Sequence, residues 1–179
     1  MADGAASQGI LEYPIMDEQS TSMQYISDNF DELIVAIGDN ATRLHKSKTF
    51  LQSGITLATL LHPSAVISRF AQIGPGTVVL ANAVVNPFAA IGDACIVNTS
   101  SVVEHDCILC DGVHISPKAA LGGRVVIGEK SWICIGSTVA NNLNIGANTI
   151  IGAGAVVLQD VPNDVLAAGV PATIRKRYK

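Results

Sequence analysis

Every sixth residue from Leu61 to Val157 is leucine, isoleucine or valine, 17 positions without an exception. The series runs Leu61, Ile67, Ile73, Val79, Val85, Ile91, Val97, Val103, Leu109, Ile115, Leu121, Ile127, Ile133, Val139, Ile145, Ile151, Val157. A period of six matches neither the turn of an α-helix nor the alternation of one long strand. It matches a short strand plus a corner, with three such units closing one triangular coil of about 18 residues. Four places after the aliphatic, small residues prevail: Ala65, Ala71, Thr77, Ala83, Ala89, Cys95, Ser101 and Cys107, and later Ala119, Ser131, Ser137, Thr149 and Ala155. Glycine directly follows the aliphatic at Gly74, Gly92, Gly122, Gly128, Gly146 and Gly152, which suits a turn with unusual backbone angles.

Stacked at a strand spacing of about 4.8 Å, about five coils make a prism roughly 25 Å long. The expected fold is mainly β, the left-handed parallel β-helix of hexapeptide-repeat proteins. Composition agrees, because 49% of residues are hydrophobic but only 4% aromatic. Aliphatics fill a repeated packing site, whereas irregular cores use aromatics. With 15% charged residues and a net charge of −4, the chain is neither disordered nor patterned as a nucleic-acid binder. No apolar run approaches the length of a membrane span, and no basic-then-apolar leader is visible, so a cytoplasmic protein is expected. Acyltransferases, γ-class carbonic anhydrases and structural arrays share the prism, so the fold alone does not assign a function.

The flanks divide the chain. Residues 1–9 read as a loose tail. Residues 10–60 read as a small, incomplete α/β (Rossmann-like) domain, with an extra strand near Ile10–Ile15. A strand at Leu33–Ile37 leads through Gly38-Asp39-Asn40 into a helix from Ala41 to Gln52, capped by Asp39 or Asn40 and ended by Gly54. A further strand at Ile55–Leu60 leads into the prism at residues 61–160. Residues 161–179 read as a C-terminal tail. Gly38 lies where a strand yields to a helix N-terminus, a place that attracts phosphate and also forms ordinary capped turns.

The prism accounts for its aliphatics, so the informative residues are those outside the pattern. Asn98, Glu104, His105, Asp106 and His114 fall within 17 residues. His105 lies near a corner, where it can point outward, and His114 lies on another edge of the same coil. Eighteen residues beyond His105 is Gly123, which leaves an open slot and a bare N–H above the imidazole. A zinc site of the γ-carbonic-anhydrase kind needs three histidines, and His62 is more than two coils from this pair, so no metal is expected. Cys107-x-x-Cys110 has no second pair at zinc spacing, and Cys95 and Cys107 fall in phase as small interior residues.

The stretch Val97-Asn98-Thr99-Ser100-Ser101-Val102-Val103-Glu104-His105-Asp106-Cys107 carries a recognisable signature, as do Val113-His114-Ile115-Ser116-Pro117, Ile151-Gly152-Ala153-Gly154-Ala155-Val156-Val157 and Gly169-Val170-Pro171-Ala172. Together they resemble the sugar acetyltransferases of the sialic-acid O-acetyltransferase and UDP-4-amino-sugar N-acetyltransferase family. Leu61-His62-Pro63-Ser64-Ala65 and the segment Ala36 to Arg43 resemble the end of that family's nucleotide-binding N-terminal domain. The resemblance implies His105 as general base with Asp106 as its carboxylate partner, and His114 against the acetyl-CoA thioester. It further implies a backbone contact from Gly123 and cofactor contacts from Ile135 and Ala153. Gly38, Asn40, Arg43 and Asn98 are expected on the nucleotide-sugar side. The family's glycine-rich G-x-G-G-H-G loop has no counterpart in this sequence. The expected reaction is N-acetylation of a nucleotide-linked 4-amino sugar by acetyl-CoA, in a homotrimer with active sites between subunits. The alternatives are O-acetylation of a sugar such as sialic acid, or a structural array without chemistry.

Overall fold

The computed structural model describes residues 16–17 and 21–178. The expected tail at 1–9 and the strand near Ile10–Ile15 lie outside the described residues. Seventeen two-residue strands, β1 (Leu60–Leu61) to β17 (Val156–Val157), recur every six residues and form three sheets. The first holds β1, β4 (Val78–Val79), β7 (Ile96–Val97), β10 (His114–Ile115), β13 (Trp132–Ile133) and β16 (Ile150–Ile151). The second runs from β2 (Val66–Ile67) to β17, and the third from β3 (Gln72–Ile73) to β15 (Asn144–Ile145). Neighbouring strands are parallel, with each residue beside the one 18 positions on, as in Leu60↔Val78 and His114↔Trp132. The result is a solenoid of about six stacked coils, close to the expected five.

Fourteen of the seventeen aliphatics, Val79 to Val157, are at most 4% exposed and form a continuous column. Ile67 and Ile73 are half-buried and Leu61 is 50% exposed, because no coil lies beneath the first one. The glycines after the aliphatics do not have the left-handed angles expected of them. They are there for space: a Cβ on Gly74 would lie 2.7 Å from the carbonyl carbon of Gly92, and one on Gly92 would lie 2.9 Å from Asp111 N. The left-handed backbone sits instead three residues after the aliphatic. From Gly76 to Gly154 every sixth residue has φ between 52° and 71°. Ten of these fourteen corner residues are not glycine, among them Phe88, Ala94, Asp106 and Arg124. Inter-coil bonds such as Asp106 N–H to Pro87 O hold the corner against its own local preference.

Before the prism lie α1 (Met23–Asn29), capped by Ser22 and not expected from the sequence, and α2 (Asn40–Gln52), capped by Asp39 as expected. The residue after the Ser53 C-cap, Gly54, has φ 81°. The expected flanking strands reduce to a single parallel bridge, Leu33↔Leu57. Helix α2 buries Asn40, Arg43, Leu44 and Ser47, one stripe at helical spacing, against the corner between the third and first sheets. Residues 161–179 are not a plain tail: β18 (Val165–Ala168) extends the first sheet beside β16, and β19 (Thr173–Arg177) folds back on it antiparallel. Among the described residues no helix is long and apolar enough to cross a membrane.

Candidate active site

The corner between the second and third sheets carries His105 and Asp106. Asp106 occupies the left-handed position, φ 58°, where aspartate is tolerated better than most residues. That turn aims its carboxylate back, so His105 Nδ1 lies 2.7 Å from Asp106 Oδ2. Both side chains are about half exposed, 47% and 46%. With Nδ1–H donated to the carboxylate, Nε2 keeps its lone pair for a substrate proton. Directly above, a Cβ on Gly123 would lie 2.6 Å from His105 Nε2 and 2.7 Å from Cε1. Gly123 has no left-handed φ, so glycine is required here by the imidazole and not by the backbone. The expectation of a bare N–H at this position is corrected: Gly123 N–H donates to Asn141 Oδ1 at 3.1 Å.

His114 stands on the outer face of the first sheet. Asn98 Oδ1 accepts the Thr99 N–H at 2.8 Å, which leaves Asn98 Nδ2 to face His114 Nε2 at 3.1 Å. One coil above, Trp132 stacks on the imidazole with centroids 5.7 Å apart and planes 8° apart. The indole N–H donates to Ser116 Oγ at 2.7 Å. Burial, aided by the Arg43 charge, pushes the His114 pKa down to about 4, so the ring is neutral at pH 7. Trp132 is not among the residues the sequence singles out, although the same step of 18 that links His105 to Gly123 links His114 to it.

These groups do not converge within one chain. In a three-sided prism the His105 corner is opposite the first sheet, which carries His114. Ile135 and Ala153, both exposed and one coil apart, lie at the third corner, between the first and second sheets. Within one chain, His105 with Asp106 and His114 with Asn98 therefore form two separate groups.

The residues expected on the nucleotide side separate too. Gly38 is open, with no atom within 4 Å of a Cβ, and lines a hollow of about 130 Å³ with Asn40, Lys130, Trp132 and Asn148. Arg43 is 2% exposed, and its guanidinium donors are spent on the carbonyls of Ala94, Ile37, Gly38 and Gly112 and on Asn40 Oδ1. Asn40 donates to the Lys130 and Ser131 carbonyls. Both fasten α2 to the prism, so Arg43 offers no cation to a diphosphate. The helix N-terminus is already held by Asp39, whose carboxyl is kept low by the Thr42 hydrogen bond. Cys95 and Cys107 are buried, the first with its thiol pushed up to about 12, and behave as packing residues. Among the described residues no group of three or more His, Cys, Asp or Glu could hold a metal ion.

Residues 124–159 match the family of bacterial transferase hexapeptide (six repeats). A variant of perosamine N-acetyltransferase from Caulobacter crescentus, crystallised with CoA and GDP-perosamine, superposes with a TM-score of 0.91 at 37% identity, over 97% of this chain and 82% of that one. The acetyltransferase domain of PglB from Neisseria gonorrhoeae, in complex with acetyl coenzyme A, gives 0.87 at 34% identity, over 96% and 83%. GDP-perosamine N-acetyltransferase of Escherichia coli is 34% identical over 135 residues, 75% of this chain and 53% of that protein. The chain thus spans about half the length of this curated relative, and about a quarter of some others. It belongs to the hexapeptide-repeat acyltransferases, and its relatives there include sugar N-acetyltransferases and galactoside O-acetyltransferases.

Proposed function

We propose that the protein transfers the acetyl group of acetyl-CoA to the amine of a nucleotide-linked 4-amino sugar, with His105 as general base. The observation that carries this reading is the His105–Asp106 pair, exposed and capped only by Gly123. The amine attacks the thioester carbonyl and a C–N bond forms. His105 Nε2 takes the amine proton and returns it to the sulfur as the C–S bond breaks, giving the amide and free CoA thiol. Asp106 steadies the imidazolium between the two steps. No covalent enzyme intermediate is needed, which agrees with the buried state of Cys95 and Cys107.

The coil is taken as left-handed, and the working unit as a C3 homotrimer. Its support is the separation of the two histidine groups. Three prisms around a threefold axis would set the His105 corner of one copy against the His114 side of the next. Gly123, His114, Ile135 and Ala153 would then line the acetyl-CoA path, and Asn98 and the hollow at Gly38 the acceptor side. The outward row of the second sheet, Val66, Val84, Val102, Ala120, Thr138 and Val156, is apolar enough to face such an axis.

Thiol release from acetyl-CoA, measured with GDP-, UDP- and dTDP-linked 4-amino sugars and with the free amino sugar, tests the reading. Release with a nucleotide-linked amine is the expected result. Release with sugar hydroxyls alone would reassign the chemistry to O-acetylation, and no release with any acceptor would leave a structural array. Light scattering should give about three times the 18.6 kDa chain mass.

A further inference from the structure

We infer that Trp132 and Asn98 are positioning residues that lock His114 as a neutral Nδ1–H tautomer, making it a preset hydrogen-bond donor to the thioester carbonyl oxygen. The inference rests on the acetyl-transfer reading and assigns His114 a role within it that is distinct from acid–base catalysis.

The tautomer follows from the hydrogen bonds. Asn98 Oδ1 is occupied by the Thr99 N–H at 2.8 Å, so the atom facing His114 Nε2 at 3.1 Å is the amide nitrogen, a donor. A donor opposite Nε2 requires a lone pair there, and in a neutral imidazole the single proton then sits on Nδ1. Nδ1 makes no hydrogen bond among the described residues, and its proton is free for a ligand. The ring cannot turn to exchange its two nitrogens, because Trp132 lies flat on it, and Trp132 is itself pinned by its indole N–H on Ser116 Oγ at 2.7 Å. Backbone register supports the stack, since His114 and Trp132 are direct partners on β10 and β13.

A charged imidazolium in this position would also donate, but it could lose its proton to the departing thiolate and compete with His105. A neutral Nδ1–H donates without entering the proton balance. As the amine adds, the thioester oxygen gains negative charge, and a donor already aimed at it stabilises that charge without reorganising. His105 and His114 thus divide the chemistry: one accepts a proton and the other holds one. Trp132 acts on the thioester only through the imidazole, and its edge in the hollow at Gly38 lies on the acceptor side.

The test combines nitrogen-15 NMR of the histidine rings with steady-state kinetics on the full chain. Wild type should show His114 as the Nδ1–H tautomer. In Trp132→Ala the signal should move toward the mixture of tautomers found for a solvated ring, with kcat about tenfold lower and the acetyl-CoA KM within about threefold. Trp132→Phe keeps a flat ring over the imidazole and should restore both the tautomer and most of kcat. His114→Ala should lose on the order of 10²–10³ in kcat, the usual cost of one oxyanion donor. An Nε2–H tautomer in wild type overturns the assignment, as does an unchanged tautomer in Trp132→Ala. A shifted tautomer with normal kcat also overturns it, by showing that the ring is held but does no chemistry. Absence of acetyl transfer in wild type, with the Nδ1–H tautomer present and lost in Trp132→Ala, would overturn the enzymatic reading and leave the positioning intact.

Discussion

His105 and His114 stand nine residues apart in one coil and end in opposite environments. His105 is at a corner, half exposed, with a carboxylate at 2.7 Å. His114 is on a sheet face, half-buried, between an amide and an indole, and within the field of Arg43. The repeat explains the difference. A corner residue projects away from the coil and meets only what stands 18 positions above or below it. His114, on the first sheet, lies under the Trp132 ring and within reach of the Arg43 charge on α2, and is half-buried. The same imidazole is open to solvent beside a carboxylate in one place and a half-buried neutral group in the other. Local phase decides which, not residue type.

The sharpest break in this comparison is to remove the corner histidine. His105→Ala should lower turnover on the order of 10²–10⁴-fold and leave the melting temperature unchanged, because its side chain buries little. Rates at saturating acetyl-CoA, with a thermal melt on the same sample, check it. Near-normal turnover would remove His105 from the chemistry.

The second prediction uses pH on the other histidine. His114 is held near pKa 4, against about 6.5 in an unfolded chain. Between those values the unfolded state binds more protons than the folded one. Stability therefore rises with pH across that window and is lost as pH falls below 6.5 toward 4. Between pH 7 and pH 5 this amounts to about 2 kcal/mol by linkage. Urea melts at the two pH values should show the loss in wild type and a smaller one in His114→Gln. An equal loss in both would mean that other groups dominate.

Much of the corner geometry is legible in the sequence, because a six-residue period makes position arithmetic. Adding 18 to His105 reaches Gly123, and the structure places them in contact. The same addition from His114 reaches Trp132, and the phase of each histidine already puts them on different sides of the prism. Other features leave no such mark. The left-handed corners hold phenylalanine, lysine and arginine as well as glycine, since inter-coil hydrogen bonds impose the angle, so no residue type signals them. Arg43 looks like a cation for a diphosphate because charge is visible in sequence and burial is not. Its donors turn inward to carbonyls that only folding gathers. The basic segment at Arg175–Arg177 has the composition of a loose end, and pairing with β18 makes it a strand.

The third prediction sharpens the reason for glycine at the corner. A Cβ on Gly123 would come within 2.6 Å of His105 Nε2 and must displace the ring. The backbone itself tolerates alanine, because its φ is not left-handed. Gly123→Ala should therefore lower kcat about 10- to 100-fold while changing stability by less than about 1 kcal/mol. Gly112 gives the contrast: its φ is 68° and its Cβ position is crowded by Leu44 of α2, so Gly112→Ala should cost stability first. If Gly123→Ala destabilised the fold as much as Gly112→Ala, the glycine would belong to the architecture and not to the site.

The smallest expected effect concerns the partner of the base. Asp106→Asn keeps a side chain that accepts the left-handed corner, so the fold should be unaffected. The amide oxygen can still receive Nδ1–H, and the ring keeps its orientation. The variant loses a negative charge beside a histidine that becomes positive as the amine adds. Because both side chains are about half exposed, water screens much of that charge. The loss should be about tenfold in kcat with little change in either KM, since the charge matters only once the proton has moved. Asp106→Ala should cost more, by removing the orienting acceptor as well. If the asparagine and alanine variants lost equally, charge would be the whole contribution. If asparagine lost nothing, Asp106 would serve only to aim the ring, and the catalytic difference between the two histidines would rest on exposure alone.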